Sequence, residues 1–71
     1  MDYEKALILL GDIFREKGIH KIALQHYQRA LAGKKVERSN LSAMYNMALT
    51  LEALGRFAEA LEIYESIIVV D

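Results

Sequence analysis

A chain of 71 residues holds one small domain, which buries only about 60% of the surface its unfolded form exposes, so its stability is marginal and any neighbour that covers apolar surface matters. Hydrophobic residues make up 54% and charged residues 27%, which excludes a disordered or collagen-like chain. There is no cysteine, which excludes a disulfide framework and thiolate chemistry and favours an intracellular, cytoplasmic location. The net charge of −1 conceals two unlike halves: residues 1–38 carry eight Lys or Arg against five acids (+3), and residues 39–71 carry one Arg against five acids (−4). Ends of opposite sign favour head-to-tail contact over a nucleic-acid surface.

In chain order, Asp2 is the expected N-cap of a first helix over residues 3–17, whose apolar run Ala6 to Leu10 is too short for a membrane span and is interrupted by Asp12 and Arg15. Gly18 follows, and a second helix is expected over 19–32. Ser39 or Asn40 is the expected cap of a third helix over 40–54, after which Gly55 leads into a fourth over 56–70. With no proline, Gly18 and Gly55 are the main punctuation, each suited to the left-handed residue just past a helix end. The expected architecture is all-α, a single module over 1–71 with one hairpin at about 3–35 and another at about 40–71.

Sliding the chain along itself by 37 positions aligns Leu7 with Met44, Gly11 with Ala48, Gly18 with Gly55, Ala23 with Ala60, Tyr27 with Tyr64 and Leu31 with Ile68. Small residues such as Gly11, Ala48, Ala23 and Ala60 let two antiparallel helices approach, while Tyr27 and Tyr64 fill the space beside them. The two copies, "LILLGDIF…ALQHYQRAL" and "MYNMALTL…ALEIYESII", resemble the tetratricopeptide repeat, with its large residue, Leu-Gly, aromatic and Ala-x-x-x-aromatic. Neither copy has the usual tryptophan, and Lys35 stands where a closing proline is common. The offset also exceeds the usual ~34 residues, the extra ones falling in "GKKVERSN" between the hairpins.

The search for chemistry returns little. His20 and His26, six apart on one helix, do not share a face, and no cysteine completes a zinc set. Asp12 with Glu16, and Glu62 with Glu65, read as solvated helix acids. Ser39, Ser42 and Ser66 stand in no nucleophile context, and no glycine-rich phosphate loop is present. Lys34, Lys35 and Arg38, with Lys21 and Arg29, form a basic concentration, but no aromatic residues are interleaved for base stacking. No catalytic residue, metal ligand or cofactor is expected, and no nucleic-acid or membrane partner.

The resemblance implies a non-enzymatic protein-interaction scaffold. A peptide would lie on the concave face formed by the first helix of each hairpin, which maps here to Ile8, Asp12, Arg15, Tyr45, Asn46, Leu49 and Glu52. Relatives that clamp chaperone C-termini need Lys and Asn where Ile8 and Asp12 stand; only Asn46 matches, so that clamp is not expected. Helix four is expected to turn Phe57, Ala60, Leu61, Tyr64, Ile67 and Ile68 inward, with Ile63, Val69 and Val70 off that stripe. Such a last helix is not a polar cap. Ile63, Ile67, Ile68, Val69 and Val70 are therefore expected to pack against a further repeat or a second copy, making a homo-oligomer. Asp71, at the position of the family's repeat boundary, suggests a piece of a longer protein, in which the module would be accessory to an enzyme or a multi-subunit complex.

Overall fold

The computed structural model describes residues 2–70; the reading of Asp71 falls outside them. Four helices follow one another: α1 (Tyr3–Glu16), α2 (His20–Leu31), α3 (Leu41–Ala53) and α4 (Phe57–Val70), with one 3-10 turn at Arg38–Asn40 before α3. Each helix end lies within one residue of its expected place. The Asp2 carboxylate accepts from the Glu4 and Lys5 backbone N–H groups at 2.9 and 3.4 Å, satisfying donors that the first helical turn leaves unpaired.

The two hairpin turns are the same motif, 37 residues apart. Gly18 and Gly55 have φ of 79° and 77°, a left-handed conformation that glycine adopts without Cβ strain. At the first turn the Gly18 and Ile19 amides donate to Arg15 and Phe14, and at the second the Gly55 and Arg56 amides donate to Glu52 and Leu51. This pattern satisfies the last carbonyls of a helix while reversing the chain.

The connection between hairpins is longer and is braced by a side chain. Asn40 is buried, its Oδ1 accepting from the Glu37 amide at 2.9 Å and its Nδ2 donating to the Lys35 carbonyl at 3.1 Å. Asn40 is the N-cap residue of α3, as expected, but its side chain makes no capping bond there; the amide turns back to the connection, and the Ser39 hydroxyl donates to Glu37. The side chain of Asn40 is itself buried, and its two bonds to the connection satisfy its amide there.

Packing proceeds from each helix to the next, with α3 also touching α1. Leu7, Ala23, Tyr27, Ala30, Leu31, Ala43 and Met44 form one core cluster, and Leu24, Ala48, Leu51 and Ala60 another; Met47 and Ile63 pack against both. α2 is therefore enclosed between α1 and α3, while α4 is packed on α3 and leaves its far side open.

That asymmetry corrects the expected face of α4. Ala60 is buried, and Ile63, Tyr64 and Ile67 are half-buried, whereas Phe57, Leu61 and Ile68 are exposed. Ile63, expected off the inward stripe, lies in it. A helix packed chiefly on one neighbour buries one narrow stripe, and α4 is apolar on more than one side. Among the residues expected to meet a partner, Ile68 and Val69 are exposed, and Ile63, Ile67 and Val70 are half-buried.

Candidate functional site

The groove between α1 and α3 holds a cluster centred on Tyr27, which α2 delivers from beneath. Its ring is fully buried and rests against Gly11, where an added Cβ would stand 2.6 Å from Tyr27 Cε1. Glycine in α1 is thus required by space, since the hairpin closes onto the ring. The Tyr27 hydroxyl then emerges in the groove and donates to Asp12 Oδ1. The same carboxylate oxygen accepts from Asn46 Nδ2 at 3.1 Å, and Arg15 Nε donates to Tyr27 Oη at 3.3 Å.

Repeat two contains a looser counterpart. Tyr64 Oη donates to Glu52 Oε1 at 2.9 Å, and its ring lies 6.0 Å from that of Tyr45. Glu52 is the 37-residue equivalent of Arg15, so the hydroxyl of each repeat meets a group at the same helix position with the opposite charge. The expected site residues thus divide into three places. Asp12, Arg15 and Asn46 meet at Tyr27; Tyr45 and Glu52 meet at Tyr64; Ile8 lines a cleft nearer the start of α1. Leu49, half-buried, lies on α3 between Tyr45 and Glu52 in helical register.

The cleft has a volume of about 400 Å³ and is bounded by Lys5, Ile8, Leu9, Lys34, Glu37 and Ser42, among others. Its rim is charged and its floor apolar. Lys34 pairs with Glu4 across the rim, two half-exposed groups whose pairing adds little to stability. Among the described residues no group of three His, Cys, Asp or Glu is placed to hold a metal ion, and no helix is long and apolar enough to cross a membrane. His26 stacks on Phe14, ring centroids 5.5 Å apart.

Tyr27 went unassigned as a polar group in the sequence, where it counted as filler. The available signal was its hydroxyl: a tyrosine at a buried position generally finds a hydrogen-bond partner. Burial, followed by the bond to Asp12, pushes its pKa up to about 12 from 10.0. Tyr64 is likewise pushed up to about 12 by burial and Glu52. The hydrogen bond to Tyr27, with its nearby charges, holds the Arg15 guanidinium more firmly protonated.

A pH dependence follows. Tyr27 ionises near pH 10 in the unfolded chain but near 12 when folded, so its contribution is complete below pH 10 and lost as pH rises from about 10 to about 12. At about 1.4 kcal/mol per pH unit, the loss from Tyr27 is about 2–3 kcal/mol. Chemical denaturation between pH 9 and about 12 should show this fall, and Tyr27→Phe should make it smaller, leaving the share of Tyr64, which is raised in the same direction; an equal fall in the variant would contradict the assignment.

Two stacked helical hairpins, with a groove across their first helices, define an all-α helical-repeat module. The tetratricopeptide-repeat family model matches residues 42–69, most of α3 and α4. No curated protein and no solved structure matches the chain. The four-helix architecture and the 37-residue self-similarity that brings in the first hairpin support the same likeness to tetratricopeptide repeats, a family generally of modules for protein–protein interaction.

Proposed function

We propose that the protein is a non-enzymatic scaffold that holds a peptide segment of a partner protein along the groove between α1 and α3. The observation that carries this reading is the placing of apolar side chains along an otherwise polar groove. Ile8 and Leu9 floor the cleft at one end, while Leu49 and the exposed ring of Tyr45 continue along α3. Apolar anchors flanked by charges suit an extended or helical peptide, whose side chains supply affinity and whose charges set register. An intracellular location belongs to the same reading, since proteins of this family usually work there.

Selection from a displayed random-peptide library supplies the test. A selected peptide should lose about tenfold in affinity on Tyr45→Ala, the loss of an aromatic anchor worth about 1.4 kcal/mol, with the helical circular-dichroism spectrum unchanged. Unchanged affinity in both Tyr45→Ala and Ile8→Ala would place binding outside the groove and overturn the reading.

A further inference from the structure

The 37-residue offset matches each position of α2 with one of α4, and each of α1 with one of α3. The contact between α2 and α3 is therefore a template for the two outer faces of the molecule. Leu24 and Leu31 on α2 are 3% and 4% exposed; their counterparts on α4, Leu61 and Ile68, are 57% and 76% exposed. The residues of α3 that close this seam recur at helical spacing: Ala43, Met47 and Thr50, with Asn40 just before. Their counterparts on α1 are Ala6, Leu10, Ile13 and Tyr3, and Ile13 is 50% exposed where Thr50 is fully buried. So α1 presents outward the face by which α3 covers α2, and α4 presents the face by which α2 receives α3. One chain carries both halves of a seam it closes only once.

We propose that copies of the chain stack head to tail, α1 of one copy lying on α4 of the next as α3 lies on α2. By the template, Ala43 packs with Leu31, and Met47 packs against both clusters. This sets Ala6 of the incoming copy near Ile68, and Leu10 and Ile13 further along α4 toward Leu61. One further observation singles out a second copy as the occupant: the polar Asp12–Asn46 contact of the internal seam has as its counterpart Leu49 of one copy against Leu9 of the next, an apolar pair suited to a joint between molecules. The opposite charges of the two halves do not reach the docking helices, since α1 carries Glu4, Asp12 and Glu16 against Lys5 and Arg15 while α4 carries Glu59, Glu62 and Glu65 and no base, so the joint rests on apolar contact. The two faces differ, so the contact is heterologous and does not close on itself; growth passes beyond the dimer. The inference does not depend on peptide binding in the groove.

Light scattering on a sizing column tests it. Over concentrations from about 5 to about 500 μM the mass-action shift should carry the average mass beyond twice the 8.1 kDa of one chain. Ile13→Glu and Leu61→Glu alter one face each and should each weaken self-association at least about tenfold, with unchanged helical spectra. An equimolar mixture of the two should restore a dimer that grows no further, since one intact face of each kind remains. Leu10→Lys and Ile68→Lys provide the same comparison should either glutamate variant lose its helical spectrum. A wild-type chain monomeric throughout, assembly unaffected by the α1 substitutions, or a mixture without dimer would each overturn the proposal.

Discussion

Leu24→Ala should lower the free energy of unfolding by about 2–5 kcal/mol, whereas Leu61→Ala, the same substitution at the equivalent position of the other repeat, should cost less than about 1 kcal/mol in dilute solution. Leu24 packs with Ala48, Leu51 and Ala60 in a core cluster, and its truncation leaves a cavity that rigid neighbours cannot refill. Leu61 is mostly in water, so little transfer energy is lost and no cavity forms. A small domain near the lower end of the usual range of about 5–15 kcal/mol has little to spare, and Leu24→Ala should bring the chain close to its unfolding midpoint at room temperature. Urea denaturation of the two variants measures the difference; equal losses would mean that Leu61 is covered in the monomer.

Gly11→Ala should destabilise the fold by about 1–3 kcal/mol, although alanine is the better helix former by about 1 kcal/mol. The new Cβ would lie 2.6 Å from Cε1, 2.8 Å from Cδ1 and 3.0 Å from Cζ of Tyr27. That ring is buried and its hydroxyl is tied to Asp12, so it cannot step aside without breaking the groove cluster. Gly18→Ala is the informative contrast: nothing lies within 4 Å of its added Cβ, but φ is +79°, so its cost is conformational, about 1 kcal/mol. A cycle with Tyr27→Leu separates the two causes. Removing the ring should abolish the penalty at Gly11 and leave that at Gly18 unchanged. Repeat two tolerates Ala48 at the position equivalent to Gly11 because Tyr64, uncovered on its outer side, is less confined.

What could be read from the sequence was what local chemistry decides. Asp2 before a helix, Gly18 and Gly55 after one, and the offset that superposes them are short-range signals, and the helix ends followed from them. The face of α4 was less legible. With Phe57, Leu61, Ile63, Tyr64, Ile67, Ile68, Val69 and Val70 in one helix, apolar periodicity cannot choose a side; the main neighbour α3, with Leu24 of α2 in the same cluster, chooses it, burying Ala60 and half-burying Ile63. The groove was legible as a set of positions on α1 and α3. That Asp12, Arg15 and Asn46 gather around one hydroxyl was not, because Tyr27 reaches them from a third helix. Asn40 is similar: it stands at the N-cap position of α3 as the sequence suggested, but its buried side chain braces the connection in place of making a capping bond.

The central structural claim is that one seam, between α2 and α3, is closed, and that its counterpart on α4 is open. Amide hydrogen exchange in dilute solution addresses it residue by residue, since exchange reports the free energy of local opening. The amides of Leu24 to Leu31 should exchange only through global unfolding, and those of Leu61 to Ile68, at the same register in the repeat, at least tenfold faster through opening of α4 alone, a gap of about 1.4 kcal/mol. Equal protection of the two helices at a concentration where the chain is monomeric would contradict the account.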